Sequence, residues 1–388
     1  MMKVLILVDK FRGSLSASEV SEAIAIGLQS FSDNLDIVKV PLADGGEGTL
    51  EAVERDGTER LMIECIDPLG REIVVPVLKM GDRILIEMAK STGLHLLTRE
   101  ERNPLYTSSY GLGLVIKKVS EMGFKNILIG IGGSATNDGG AGMLEALGFR
   151  FVDEEGRDVR LGEHITGRDL INIRNVDDSG SNPLLKELNI EVASDVTNTL
   201  VGAKGASRVY GPQKGAGEVE VEYLEKGMQN FAKVSADYHG KDFSSLPGSG
   251  AAGGVGFGLI AYCGATLKNG WRVLFDFMDV DKSIMESHLV ITGEGRVDEQ
   301  SLSGKLLAGV GELCKKHKKP LWIICGDNHL ANKDVRKVGA SILFAISYIE
   351  PEKELAIKNA REYLEKISAD AATFLKDIQS NNRTNNTK

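Results

Sequence analysis

The chain has 388 residues, of which 42% are hydrophobic and 26% charged, a balance typical of a globular protein and unlike that of a disordered or fibrous one. The formal net charge of -9, from 46 basic and 55 acidic residues, argues against a general nucleic-acid-binding protein. Glycine is enriched, at 45 residues or about 12% against a usual ~7%, yet it shows no Gly-X-Y period. The length predicts two or three domains, and the glycines predict many tight turns.

Cysteine usage and the N-terminal segment bear on the cellular location. Cys65, Cys263, Cys314 and Cys325 are scattered, and no Cys/His cluster has the spacing of a zinc site. Buried, reduced thiols are therefore expected. The apolar run after Lys3 is too short for a signal peptide, so the sequence predicts a cytoplasmic protein that contacts neither membranes nor nucleic acid.

Short, continuously apolar runs indicate buried strands, each leading into a glycine-rich turn and then a helix. The predicted strands are Val4–Val8, Ile37–Leu42, Asn126–Ile131, Leu289–Thr292, Pro320–Cys325 and Ile342–Ile346. The predicted helices are Ala17–Gln29, Gly48–Arg55, Tyr110–Met122, Ala141–Leu147, Lys305–Lys316 and Glu352–Leu375. Because both faces of such strands are apolar, helices should cover both faces of a parallel sheet. The pattern predicts a Rossmann-like, doubly wound α/β domain.

Two local signals refine this scheme. Ser16 and Glu19 have the spacing of a capping box at the start of the first helix. Three further strands, joined by short turns, indicate an antiparallel meander, and they are predicted at Arg60–Cys65, Ile73–Lys79 and Arg83–Met88. We therefore expect a second α/β domain, with antiparallel strands, inserted into the first. The expected bounds are residues 1–60 and 285–388 for the Rossmann-like domain and 61–284 for the insert, with part of 105–140 compatible with either.

The strongest local signal for function is the turn between the predicted strand at Asn126 and the helix at Ala141. It reads Gly-Ile-Gly-Gly-Ser-Ala-Thr-Asn-Asp-Gly-Gly from Gly130 to Gly140. Glycines permit close approach to the backbone, and amides at a helix start attract anions. The turn predicts a phosphate or carboxylate site, with a tight turn that binds nothing as the alternative.

The same turn also matches a dinucleotide-binding pattern, Gly130-x-Gly132-x-x-Ala135. Asp153 follows a predicted strand, Phe149–Val152, where a ribose-binding acid would lie. A nicotinamide-dependent oxidoreductase is therefore an alternative. Asp138 argues against it, because a carboxylate at this helix start would face a pyrophosphate without compensation. No Walker A motif is present.

Charged residues also follow predicted strands at their carboxyl ends, where ligands gather in open α/β sheets. The clusters are Asp9-Lys10-Phe11-Arg12-Gly13-Ser14, Asp44-Gly45-Gly46-Glu47-Gly48-Thr49, Ser194-Asp195-Val196-Thr197-Asn198 and Thr292-Gly293-Glu294-Gly295-Arg296-Val297-Asp298. The cations of the first suit an anionic substrate, and the acids of the others suit a base or a metal. Surface ion pairs and turn caps are the alternative explanation. We expect the clusters to share one crevice.

Two glycine-rich stretches in the middle of the chain complete the pattern. Residues 202–215, which include Lys204, Arg208 and Lys214, suit a loop over phosphate or, alternatively, a solvated loop. Residues 247–254 suit either a backbone wrapped around a ligand or a close contact between helices.

In this order, the blocks resemble the type-1 glycerate kinases. The resemblance runs from residue 3 to about 375 and is carried by Asp9–Ser18, Pro41–Thr49, Gly130–Gly148, Ala193–Gly215, Pro247–Gly258 and Ile291–Lys305. It implies ATP-dependent phosphorylation of glycerate, with 2-phosphoglycerate as the favoured product, Mg²⁺ as cofactor and two α/β domains with a cleft. Arg12 stands where many relatives have Lys, which keeps the charge but changes the hydrogen-bond geometry.

The resemblance also implies roles for particular residues. Glycerate is expected at Lys10, Arg12, Ser14 and Arg296. Proton acceptance is expected of Asp195, or secondly of Asp44, with Lys10 as a further catalytic residue. Nucleotide phosphates are expected at Gly132, Gly133, Ser134, Thr136, Asn137 and Lys214, and Mg²⁺ at Asp138, Glu294 and Asp298. A homodimer is one assembly that the sequence allows, and a glycerate-binding regulator without catalysis is a further alternative.

Overall fold

The computed structural model describes residues 1–30, 34–42, 48–54, 57–302 and 306–375. They divide into two compact units. The first unit takes the described residues of 1–43, 51–53 and 274–388, and the second takes those of 44–50 and 54–273. Residues 105–140 therefore lie in the second unit.

The strands, in chain order, are β1 (Met2–Val8), β2 (Leu35–Lys39), β3 (Glu59–Ile66), β4 (Glu72–Met80), β5 (Arg83–Glu87), β6 (Asn126–Gly130), β7 (Arg150–Val152), β8 (Asn175–Asp177), β9 (Asn189–Ala193), β10 (Thr266–Lys268), β11 (Leu289–Gly293), β12 (Arg296–Val297), β13 (Leu321–Cys325), β14 (Asp327–Asn328) and β15 (Ala340–Ala345). The α-helices are α1 (Ala17–Gln29), α2 (Thr49–Val53), α3 (Met88–Thr92), α4 (Tyr110–Glu121), α5 (Ala141–Ala146), α6 (Ala206–Tyr210), α7 (Glu218–His239), α8 (Val255–Cys263), α9 (Gly270–Phe277), α10 (Val280–Glu286), α11 (Leu306–Lys316), α12 (Asn332–Val338), α13 (Lys353–Lys358) and α14 (Ala360–Ala372). Short 3₁₀ helices lie at Leu94–Leu96, Leu170–Asn172, Pro183–Glu187, Pro212–Lys214, Ala251–Gly254, Glu299–Leu302 and Ile346–Tyr348.

The sheet of the first unit is parallel, with strand order β15-β13-β11-β1-β2. Val4–Val8 in β1, which pairs with β11 on one side and β2 on the other, are fully buried, as the continuous apolar run predicted. One face of β1 packs in a core with α1 and α14. This confirms the predicted α/β class with a parallel sheet.

The predicted ends of one helix are confirmed, and those of another are wrong. Helix α1 has the predicted bounds, and its capping box is present: Ser16 Oγ accepts from the Glu19 amide, while the Glu19 carboxylate accepts from the Ser16 amide. The single helix predicted over 352–375 is wrong. Asn359, with φ -107° and ψ 21°, separates α13 from α14.

The sheet of the second unit is mixed, with strand order β10-β9-β6-β5-β4-β3. The predicted meander is confirmed, because β3, β4 and β5 pair antiparallel. Strands β5, β6, β9 and β10 then continue the sheet in parallel. A large core containing residues of β5, β6, α4, α5 and α8 packs on this sheet.

Two further observations concern the whole chain. All four cysteines lie in the described ranges, and they are buried, free thiols, as expected. Burial raises the pKa of Cys65, Cys263 and Cys314 to about 12. Within the described ranges, no helix combines the length and apolar character needed to cross a membrane.

Candidate functional site

The second unit contains a pocket of about 340 Å³ at the carboxyl ends of β6 and β9. Ligands commonly bind at this edge of a parallel sheet. The segments directly after the two strands line it, and the wall is completed by residues from elsewhere in the unit. The lining residues are Leu94, Ile131, Gly132, Gly133, Ser134, Ala193, Ser194, Asp195, Val196, Tyr210, Gln213, Lys214, Ala251 and Ala252.

The turn after β6 has a fixed backbone. Gly133 has φ +75°, which favours glycine, and its carbonyl accepts a 2.9 Å hydrogen bond from the Leu94 amide. In the same turn, the Ala135 amide donates a 2.9 Å hydrogen bond to the Thr92 carbonyl. The segment after α3 therefore clamps this turn. Gly132, Gly133 and Ser134, three predicted phosphate-binding residues, line the pocket.

Lys214 crosses from the basic stretch to this turn. Its side chain is buried, and Nζ donates to Ser134 Oγ at 2.8 Å and to the Thr136 carbonyl at 2.7 Å. An ammonium has three donors, so one remains for a ligand in the pocket that Lys214 lines. Burial lowers the pKa of Lys214 to about 7, and the negative charge of Asp138 opposes that shift. An anion in the pocket would also favour the charged amine.

Asp138, a predicted Mg²⁺ ligand, is fully buried and holds the start of α5 in place. Its Oδ2 accepts from the Ser109 amide at 2.8 Å, the Ser109 hydroxyl at 2.7 Å and the Gly142 amide at 3.3 Å. Its Oδ1 accepts from the Gly140 amide at 3.1 Å. Burial raises the pKa of Asp138, and these hydrogen bonds oppose the rise. In this structure the carboxylate organises backbone, and its role as a metal ligand stays a prediction.

Thr136 and Asn137 lie in the layer beneath the pocket. Both are fully buried. The Thr136 carbonyl holds Lys214, and Asn137 Oδ1 accepts a 2.9 Å hydrogen bond from the Ser207 hydroxyl. The backbone of Thr136 and the side chain of Asn137 therefore make contacts within the unit, whereas direct contact of either residue with phosphate stays a prediction.

Asp195 follows β9 and lines the pocket as an exposed side chain. Its Oδ1 accepts a 2.9 Å hydrogen bond from the amide of Gly270, the first residue of α9. This contact holds one carboxylate oxygen of Asp195 against the start of α9.

The glycine-rich stretch before α8 packs backbone against backbone. Gly253, at φ +67°, accepts from the Gly139 amide at 3.1 Å, and a Cβ on Gly253 would lie only 1.9 Å from the Thr136 carbonyl oxygen. The pocket residue Ala252 has φ +54°, which is uncommon for a residue other than glycine. A strained backbone beside a pocket is characteristic of a binding site.

The other predicted site residues lie in the first unit, at the carboxyl ends of β1 and β11. Arg12 is exposed on a tight turn in which Phe11 and Leu15 exchange backbone hydrogen bonds of 2.9 and 3.0 Å. Ser14 Oγ donates to the Ile357 carbonyl at 2.8 Å. Lys10 is half-buried beside this turn.

The residues after β11 face the same edge of that sheet, because Val8 of β1 pairs with Gly293. Arg296 is exposed and forms a 3.4 Å ion pair with Asp298. Glu294 is half-buried. Asp44, the second predicted proton acceptor, lies outside the described residues.

The predicted clusters in the described residues therefore follow strands of two sheets, and their meeting at one crevice stays a prediction. β1 and β11 belong to the sheet of the first unit, and β6 and β9 to that of the second. A continuous apolar run looks the same in either sheet, so the sequence pattern could not show to which sheet each strand belongs.

The dinucleotide pattern lacks its structural context. The strand after α5 is β7, which pairs antiparallel with β8 and lies outside the main sheet. A dinucleotide fingerprint requires this strand to return parallel to the first. Asp153 instead caps a turn, where it accepts from the Glu155 and Arg157 amides at 3.0 and 2.9 Å.

Comparison with known proteins adds the decisive observation. Residues 4–376 match the model of the glycerate kinase family. The chain belongs to that family. It is 44% identical over 329 residues to a glycerate 2-kinase of Escherichia coli (strain K12), covering 84% of this chain and 85% of the relative. It is 39% identical over 379 residues to a glycerate kinase of Bacillus subtilis (strain 168), covering 97% and 98% of the two chains.

A solved structure agrees with this family assignment. A crystal structure from Salmonella typhimurium LT2, designated glycerate kinase 2, superposes with a TM-score of 0.84 at 40% identity. The match covers 98% of this chain and 99% of that one.

In this member of the glycerate kinase family, sequence reasoning overlooked part of the pocket wall. Leu94, Val196 and Tyr210 line the pocket, and Asn198 supports Tyr210 from behind. Asn198 lies in the predicted cluster 194–198, for which a turn cap was the alternative, but no contact with Tyr210 was predicted. Tyr210, an aromatic residue within a basic, glycine-rich stretch, was the available signal.

Proposed function

We propose that this protein transfers the γ-phosphoryl group of ATP to a hydroxyl of D-glycerate, giving phosphoglycerate and ADP. The match of residues 4–376 to the glycerate kinase family carries the proposal. The 2-hydroxyl is the favoured acceptor, because the relative of 44% identity is named a glycerate 2-kinase.

The pocket of the second unit is the proposed site of the ATP phosphates. Lys214 supplies a buried cation with one donor left for a ligand, and Gly132 and Gly133 allow close approach to the backbone. Phosphoryl transfer depends mainly on positioning and on neutralising charge, which is what such a pocket provides.

Glycerate is proposed to bind through Lys10, Arg12, Ser14 and Arg296 of the first unit. The exposed guanidinium of Arg12 suits a carboxylate, because its fork can donate to both oxygens. Ser14 and Arg296 already have partners in Ile357 and Asp298, so binding would require an exchange of contacts.

In the proposed reaction the glycerate hydroxyl oxygen forms a bond to the γ-phosphorus, and the bond to the oxygen bridging the β- and γ-phosphates breaks. ADP leaves with that oxygen. Asp195 is the proposed acceptor of the hydroxyl proton, and the Gly270 amide positions its carboxyl group. Asp44 is the second candidate.

Mg²⁺ is proposed to arrive with ATP. Among the described residues, no group of three or more His, Cys, Asp or Glu side chains is arranged to hold a metal ion. Mg²⁺ on a nucleotide needs only one or two protein carboxylates, and Asp138 stays a candidate in the second unit. Glu294 and Asp298 stay candidates in the first unit. The bound ion would neutralise charge on the phosphates.

We further propose that the two units are the domains of the protein, that it works in the cytoplasm, and that a homodimer is one assembly it could form. The two-unit division and the buried free thiols support the first two proposals.

A ³¹P NMR time course with D-glycerate, ATP and Mg²⁺ tests the function. We expect ADP together with a new phosphate-ester resonance, and omitting glycerate should remove both. Coupling to one carbon-bound proton would give a doublet and identify the 2-phosphate, whereas coupling to two would give a triplet and identify the 3-phosphate. ATP that stays intact with both enantiomers of glycerate would refute the proposal. A glycerate-binding regulator would then be the better explanation.

A further inference from the structure

Asn198 joins three segments of the second unit. Its Nδ2 donates to the Lys204 carbonyl at 2.7 Å, and its Oδ1 accepts from the Tyr210 hydroxyl at 2.8 Å. Its backbone carbonyl accepts from the amides of Gly248 and Gly250 at 3.1 and 2.9 Å. One residue therefore fixes the loop before α6, the Tyr210 side chain and the turn that leads to Ala251.

Two of these segments form the pocket wall. Tyr210, Ala251 and Ala252 line the pocket. Asn198 is not one of the lining residues, and it contacts Tyr210 and the turn before Ala251. A Cβ on Gly250 would lie 2.1 Å from the Thr199 carbonyl oxygen, so this turn packs directly on the backbone of the segment that contains Asn198. The hydroxyl of Tyr210 keeps its proton for the bond to Asn198, because burial raises its pKa.

The residues that line the pocket include two chemically different groups. Lys214, Gly132 and Gly133 offer a cation and close backbone approach, which suit phosphate. Tyr210, with Leu94 and Val196, offers an aromatic ring and apolar side chains. A ligand that contacts both groups of residues must carry phosphate and a flat apolar group, and a nucleotide has both. Bases stack on aromatic side chains.

We propose that Tyr210 is the surface on which the base of the phosphoryl donor stacks and that Asn198 is the positioning residue that holds it there. This rests on the proposed function only in assigning a nucleotide to the pocket.

Calorimetric titration with two probes tests it, because ATP carries a base and inorganic tripolyphosphate does not. Tyr210→Leu should weaken ATP binding about tenfold and leave tripolyphosphate binding unchanged. Asn198→Ala should do the same, and in a Tyr210→Leu background it should add less than about twofold. Asn198→Asp adds a negative charge that weakens both probes, but it keeps an acceptor for the Tyr210 hydroxyl. Its ratio of ATP affinity to tripolyphosphate affinity should therefore lie closer to the wild-type ratio than that of Asn198→Ala. Lys214→Met should weaken both probes.

Matched controls lie in the same unit. Tyr223 donates to the Arg168 carbonyl, and Asn230 Nδ2 donates to the Leu170 and Ile173 carbonyls, all away from the pocket lining. Tyr223→Leu and Asn230→Ala should leave both probes unchanged.

Three results would overturn the inference. Equal losses of affinity for ATP and tripolyphosphate would mean that Tyr210 and Asn198 only maintain the fold. Independent effects of the two substitutions would mean that Asn198 does not act through Tyr210. An Asn198→Asp protein whose ratio of ATP affinity to tripolyphosphate affinity is as low as that of Asn198→Ala would overturn the role of the hydroxyl contact. Failure of the proposed function is distinguishable, since a protein that binds ATP through Tyr210 but leaves glycerate unphosphorylated would refute only the activity.

Discussion

Lys214 and Ser134 lie 80 positions apart in the sequence, yet Lys214 Nζ donates a 2.8 Å hydrogen bond to Ser134 Oγ. The contact joins the basic stretch to the turn after β6 and places a buried amine at the pocket. A lysine buried in this way has a cost in free energy unless an anion compensates it. We infer that the pocket is built for an anionic ligand.

The affinity for ATP should therefore fall as the pH rises. Protonated Lys214 attracts phosphate, and its pKa in the free protein is lowered to about 7. Between about pH 7 and 9 the protonated fraction decreases, so the ATP dissociation constant should rise by up to about tenfold per pH unit. Titration calorimetry at several pH values measures this. Lys214→Met should bind ATP about 10–100-fold more weakly and abolish the dependence. A wild-type affinity that is flat over this range would contradict the lowered pKa, and an unchanged affinity in Lys214→Met would contradict the role of Lys214 in binding.

Asp138→Asn should mainly destabilise the fold. The substitution removes a buried charge that accepts four hydrogen bonds, and it turns an amide group toward their donors. We expect a loss of about 2–4 kcal/mol in the free energy of unfolding, measured by urea denaturation. Asp242→Asn is the control, because Asp242 caps a turn through Ser244 at the unit's periphery and should lose about 1 kcal/mol. Unchanged stability with a raised requirement for Mg²⁺ would favour metal binding instead.

Asp195→Asn should lower kcat about 10²-fold or more while leaving ATP affinity nearly unchanged. The amide retains the oxygen that accepts from Gly270 but cannot take the substrate proton. Steady-state kinetics with both substrates separates the two effects. Asp153→Asn, in an exposed turn of the same unit, should keep full activity. If Asp195→Asn retained nearly full kcat, the proton acceptor would have to be another residue, with Asp44 the next to test.

Lys10→Ala and Arg12→Ala should chiefly raise the KM for glycerate, because each removes a cation that is proposed to bind its carboxylate. A loss of about tenfold or more is expected for a charge-assisted hydrogen bond. Arg361→Ala is a control for Arg12→Ala, since Arg361 is an exposed arginine of the first unit whose recorded partner, Glu365, lies one turn along α14. Unchanged glycerate kinetics in the Lys10 and Arg12 variants would mean that this cluster is structural.

The sequence was sufficient for features that depend on local patterns. Ser16 and Glu19 indicated the start of α1, and the short turns between successive strands indicated the β3–β5 meander. It was insufficient where long-range contacts decide. The assignment of β6 to the second sheet depends on pairing with β5 and β9. The burial of Asp138 depends on Ser109, which lies 29 positions away. An acid in a glycine-rich turn can equally be exposed or buried. Composition alone therefore does not distinguish an acid that binds a metal ion from one that holds the backbone through hydrogen bonds.

Gly253→Ala tests the packing of the two glycine-rich segments around the pocket, with Gly240→Ala as its control. Both glycines have positive φ, +67° and +65°, so a methyl group imposes similar backbone strain of about 1 kcal/mol at either site. They differ in surroundings. A Cβ at Gly253 would meet the Thr136 carbonyl at 1.9 Å, whereas Gly240, at the end of α7, has nothing within 4 Å.

Because the atom contacted is backbone, relief requires the 136–139 and 251–254 segments to separate, which breaks the 3.1 Å bond from the Gly139 amide to the Gly253 carbonyl. We expect Gly253→Ala to lose roughly 2–4 kcal/mol more stability than Gly240→Ala. It should also weaken ATP binding, since the same carbonyl of Thr136 holds Lys214. Urea denaturation and calorimetry measure the two effects. Equal stability of the two variants would show that the segments can part without loss, and the pocket would then owe its shape to other contacts.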